Sequence, residues 1–126
     1  VKILEVHPRL ETKVEVRFSC AFGEAVARWA SGSPTIDGDY DVELEVADQV
    51  EWSRTGAVVH DAPHSISVTA DGVRICGTID NVQEDGVVAL RLGGSLCLVE
   101  SVGEVPPPGS SVCFLAKDIA LHAYDA

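Results

Sequence analysis

Seven carboxylates and no base lie between Asp37 and Glu51: Asp37, Asp39, Asp41, Glu43, Glu45, Asp48 and Glu51. Asp39, Asp41, Glu43 and Glu45 fall on every second residue. On a strand, alternate side chains leave the same face about 7 Å apart, so these four are expected to form one row. Like charges side by side repel and lower stability unless a cation or a basic partner meets them. The row is therefore the candidate partner-binding surface, and its chemistry suits a protein with a basic surface. The competing reading is a solvated outer face that keeps the protein soluble and discourages edge pairing.

Two spacings invite a metal, and the sequence argues against both. Asp37-Gly38-Asp39-Tyr40-Asp41 is similar to the start of an EF-hand loop, in which Asp37, Asp39 and Asp41 would be calcium ligands. Val42 stands where that loop needs Gly for its sharp turn, and Asp48 where it needs a bidentate Glu. His60 and His64 have the i, i+4 spacing of a zinc site on a helix. Pro63 disfavours helix at the residue before it, and no third ligand follows nearby. No metal and no organic cofactor is expected.

Catalytic signatures are missing from the motif level. No G-x-S-x-G elbow surrounds a serine, and Ser33 and Ser53 lie in stretches read as loops. No Gly-rich turn leads into a helix, so no nucleotide cradle is expected. The protein is read as a non-enzyme. Nine basic residues against 20 acidic ones give a net charge of -11, which argues against a nucleic-acid ligand, whose phosphates require clustered Lys and Arg. Only Arg74, Arg91 and Lys117 are basic beyond residue 63, and no basic–aromatic interleave is present.

Cys20, Cys76, Cys97 and Cys113 are separated by 56, 21 and 16 residues, so no CxxC pair suggests zinc or redox chemistry. Each sits in an apolar segment, and the expectation is four free thiols used as small core residues. Free thiols imply a reducing compartment. The N-terminal stretch shows no signal-peptide pattern, and no apolar run reaches the ~20 residues of a membrane span. Together these lead to a cytoplasmic expectation.

The elements that must carry these residues read as strands. Nineteen Val and six Ile against nine Leu favour pleated surfaces, where branched side chains pack well. Eleven Gly and six Pro cut the chain at short intervals, the rhythm of short strands and tight turns. Strands are expected at Lys2 to Val6, Thr12 to Phe18, Glu24 to Trp29 and Tyr40 to Val46, with weaker pieces at Val50 to Trp52 and Ala57 to Val59. They continue at Ser65 to Thr69, Val73 to Ile79, Val87 to Leu92, Ser95 to Glu100, Val112 to Leu115 and Ile119 to Tyr124. Pro106-Pro107-Pro108 marks a stiff connector. The expected core includes Trp29, Tyr40, Val42, Leu44, Val88, Leu90, Leu98 and Phe114.

This pattern predicts an all-β fold over residues 1–126 as one domain, a compact barrel or sandwich of short antiparallel strands. Gly77 to Gly94, with Gly and Val positions around the Gln83-Glu84-Asp85-Gly86 turn, resembles the consecutive bent strands of an OB-type barrel. The resemblance spans about 50 residues from Val73 onward and implies a barrel in the second half. Two functions follow as expectations. One is a non-catalytic, acidic protein-interaction module, of the inhibitor or immunity type. The other is a small barrel that takes an oligomeric or small-molecule ligand in an OB-like cleft.

Overall fold

The computed structural model describes residues 1–8, 14–30, 32–52, 56–58 and 63–123. Thr12, Ser53, Val59, His60 and Tyr124, all named above, lie outside them. The described residues form strands and turns with no helix. In chain order the strands are β1 (Lys2–Pro8), β2 (Val14–Cys20), β3 (Gly23–Trp29), β4 (Val42–Glu51), β5 (Gly56–Val58) and β6 (Ser65–Thr69). They continue as β7 (Gly72–Val82), β8 (Val87–Leu92), β9 (Ser95–Val102), β10 (Ser111–Ala116) and β11 (Ile119–Ala123).

Seven of these close into a barrel in the order β3, β11, β4, β9, β8, β7, β6 and back to β3. Closure leaves no free edge within the ring, which is how a β-rich chain avoids edge pairing. β2 and β1 extend outward from β3, and β10 and β5 extend from β7. The barrel is not purely antiparallel as expected. β4 pairs parallel with β9, and β11 and β6 pair parallel with β3. These pairings join strands far apart in sequence, so no hairpin signal announces them.

Alternation builds much of the core. On β2, Val16 and Phe18 point inward, while Glu15, Arg17 and Ser19 alternate with them. On β4, Leu44, Val46 and Val50 are buried; on β8, Val88, Leu90 and Leu92; on β9, Cys97 and Val99. Trp29 and Phe114 are buried as expected. Tyr40 and Val42 are half-buried and pack against the core from its margin. Leu98 is a correction. It alternates out of phase with Cys97 and Val99, so it lies on the outer face of β9, half-buried.

β7 is the longest strand and serves two neighbours along one edge. Its first half pairs β6 through Gly72 to Cys76, and its second half pairs β8 through Thr78 to Val82. Gly77 stands at the switch, where a Cβ would press on the Arg91 carbonyl and the Leu90 side chain. A glycine there lets β7 bend against β8.

The cysteine expectation is corrected in part. Cys76 and Cys113 face each other directly across β7 and β10, with Cα atoms 4.1 Å apart, and form a disulfide. Cys20 and Cys97 are free. The thiol argument for a reducing compartment therefore no longer holds. Among the described residues no helix is long and apolar enough to cross a membrane.

Candidate functional site

The acidic row is built by β4 and the segment that leads into it. β4 begins at Val42, so only Glu43 and Glu45 lie on the strand. Asp39 and Asp41 precede it, yet they are held almost as firmly. Lys2 and Asp39 form an isolated antiparallel bridge, and Tyr40 donates its backbone N–H to the Val1 carbonyl at 2.8 Å. Ile3 donates to Gly38 at 3.0 Å, and Asp37 donates to Ile3 at 2.8 Å. The Tyr40 hydroxyl accepts the Thr35 N–H at 3.0 Å, and the Tyr40 ring packs edge-on against Trp29 at 5.0 Å. Hydrogen bonding from Thr35 holds the Tyr40 phenol below its ordinary pKa. The alternation thus runs from the bridge into the strand without a break.

Each acid has a distinct setting. Asp39 is 88% exposed and lies 3.9 Å from the Val1 ammonium, which donates to the Tyr40 carbonyl at 2.7 Å. Asp41 is exposed. Glu43 sits on the outer face opposite His122 of β11, and Glu45 lies opposite Ala120. The Glu45 carboxylate is 3.2 Å from His122 Nε2, across the diagonal of the ladder. Among the described residues no Lys or Arg forms an ion pair with Asp39, Asp41, Glu43 or Glu45.

Asp48 has a different job. Its Oδ1 and Oδ2 accept the Lys117 N–H at 3.1 and 2.9 Å, and its Oδ1 accepts the Asp118 N–H at 2.7 Å. The carboxylate therefore closes the turn between β10 and β11 onto β4. Asp37 occupies a left-handed turn with φ 64°, a conformation that Asp tolerates. Among the described residues no group of three His, Cys, Asp or Glu is gathered for a metal ion, so Asp37, Asp39 and Asp41 do not converge.

His60 lies outside the described residues, and His64 has its own task. His64 Nδ1 accepts the Gly93 N–H at 2.7 Å, which leaves the proton on Nε2 to donate to Thr78 Oγ1 at 2.9 Å. The ring also sits 6.2 Å from that of Phe22. Both nitrogens are thus spent tying β6 to β7 and to the turn between β8 and β9.

Beside the row opens a pocket of about 550 Å³ at one end of the barrel. Its walls come from the end of β2, the turn into β3, the entry to β4 and the turn between β8 and β9. Phe18, Phe22, Leu44, Ile66 and Leu92 supply apolar surface, and Asp41 stands in the lining. Cys97 also lines it. Burial first, and the Glu43 charge second, push its thiol up to about 12, so it stays protonated at neutral pH.

Sequence reasoning found the four acids and missed the pocket. Phe22, Leu44, Ile66 and Leu92 are far apart in the chain and line one pocket only through barrel closure. The one local signal near it is Gly93-Gly94, between the strands expected at Val87 to Leu92 and Ser95 to Glu100. The chain matches no family model, no curated protein and no solved structure.

Proposed function

We propose that this protein is a non-catalytic interaction module that recognises a protein partner with a basic surface through Asp39, Asp41, Glu43 and Glu45. The observation that carries the reading is the row itself. Four carboxylates alternate along a hydrogen-bonded stretch, and among the described residues only Glu45 has an ion-pairing side-chain partner, His122. A rigid row of like charge loses little entropy on binding and steers an oppositely charged surface toward it. The non-catalytic part draws support from the protonated Cys97 thiol and from His64, whose ring nitrogens are both engaged. The OB-like character of the second half belongs to the same proposal. Its support is β7, which pairs in turn with β6 and β8, shifts register between Ile79 and Asn81, and is followed by the β8–β9 pair. An inhibitor of a basic protein is the form of partner recognition that best suits a net charge of -11.

Affinity capture from native lysate tests the reading, with the wild type and the Glu43→Lys, Glu45→Lys double variant as baits at low and high salt. The expected result is a basic partner held by the wild type at low salt, released at high salt and lost from the double variant. Identical partner sets for the two baits would reduce the row to a solubilising face.

A further inference from the structure

We propose that the pocket at the barrel mouth binds a hydrophobic amine: its ammonium group at the Asp41 carboxylate, its aromatic or branched hydrocarbon body against Phe22 and Leu92. The site goes beyond the interaction surface just described and shares only Asp41 with it.

Size and lining come first. A volume of about 550 Å³ falls within the ~300–1,000 Å³ range of pockets that hold small molecules. The walls are largely apolar, so a hydrocarbon body entering them leaves water for a surface that makes few polar demands. The backbone around the mouth is held in place by the Ile66 N–H to Phe22 carbonyl bond at 3.0 Å and by the His64 link to Gly93. A preformed pocket costs less to occupy than one that must be ordered.

Charge chooses the head group. Asp41 is the ionised group in the lining that has no ion-pair partner among the described residues. The Val1 nitrogen, also at the pocket, is already turned to the Tyr40 carbonyl and Asp39. Asp39 and Glu43 flank Asp41 in the row, so the potential at the mouth favours a cation and opposes a carboxylate. The rings of Phe22 and Tyr40 also line the pocket, and aromatic faces attract ammonium groups. Cys20 and Cys97 offer soft, weakly polar surface and do not compete for the charge.

Three probes of one shape separate these contributions: tryptamine, neutral tryptophol and anionic indoleacetate. Binding is followed by heteronuclear NMR of the whole chain at low salt. Tryptamine should bind about fivefold more tightly than tryptophol, the effect of one exposed charge contact, and indoleacetate should bind most weakly. The amide shifts should map to Phe22, Leu92, Leu96 and Cys97. In Asp41→Asn the preference for tryptamine over tryptophol should fall to near unity while tryptophol binding persists.

Gly94→Phe supplies a second variant. Gly94 lines the pocket, and a Cβ there meets nothing within 4 Å, so a ring at this position is accommodated without displacing backbone. It should abolish binding of all three probes and leave the folded spectrum elsewhere unchanged. Equal affinities for the three probes, shifts that map elsewhere, or tryptamine bound unchanged by Gly94→Phe would each overturn the proposal. Gly94→Phe keeps all four acids of the row. Partner capture retained by the wild type while amine binding fails would therefore remove this site and leave the interaction module standing.

Discussion

At the scale of single residues, the chemistry-bearing side chains divide into those that hold the fold and those left over. Cys76 and Cys113 belong to the first group. Their bond closes a separation of 37 residues, and a cross-link of that span contributes about 3–4 kcal/mol by restricting the unfolded chain. Thiol titration of the native protein, unfolded without reductant, should find two free thiols; with reductant it should find four. Replacing both bonded cysteines by Ala should lower stability by about that amount in urea unfolding. The sequence could not show this pairing, because apolar flanks look the same around a bonded and a free cysteine. His64 also belongs to the fold. Its replacement by Ala strands the Gly93 N–H and the Thr78 hydroxyl, and should cost about 1–3 kcal/mol. Glu5 shows the effect of a local cluster on titration. Hydrogen bonds from His7 and then Arg17 hold its carboxyl below its ordinary pKa. A depressed carboxylate pKa adds stability that is present above the unfolded value and is lost as pH falls through the folded one. NMR titration should show the Glu5 pKa rising in His7→Ala and rising further when Arg17 is also removed.

At the scale of elements, periodicity carried most of the information. Alternation located β2, β4 and β8 because one face of each is buried, and a one-residue slip would turn every side chain over. The strand read from Tyr40 begins at Val42, since ahead of it Asp39 pairs only in an isolated bridge with Lys2. The pieces at Val46 and Val50 form one strand, whose parallel ladder with β9 shifts register between them. Such a shift breaks the period-two pattern by which a strand is recognised. Glycines set the close approaches between elements. At Gly23 (φ 139°) a Cβ would run into the Ile66 carbonyl of β6, where the barrel closes, and at Gly93 (φ 63°) it would enter the Phe22 ring. Gly23→Ala and Gly93→Ala should each destabilise the fold by about 2–4 kcal/mol, and Gly94→Ala, which has open space, by well under 1. Chemical denaturation of the three variants checks this ordering.

At the scale of the whole molecule, the all-β barrel was legible and its strand order was not. Composition and turn spacing indicate strands, whereas the parallel pairings of β4 with β9 and of β11 with β3 join residues 50 or more apart in the chain. Nothing local specifies such contacts; they form because closure buries Leu44, Val99, Leu121 and Trp29 together. The same closure makes the pocket and sets the acidic row at its rim, which is why the row was legible and the mouth was not. A row maintained for recognition is expected to cost the isolated domain stability. Glu43→Gln should therefore leave the unfolding free energy in urea unchanged or raise it by a few tenths of a kcal/mol, since like charges on one face destabilise by about 0.2–1 kcal/mol. Recognition of a basic protein by charge is tested by the association rate with the captured partner, measured by stopped flow across ionic strength for the wild type and Glu43→Lys, Glu45→Lys. The wild-type rate should fall steeply with salt, and the double-variant rate should be lower by about tenfold or more at low salt, with unchanged folding. Rates that are flat in salt and equal for the two proteins would contradict it.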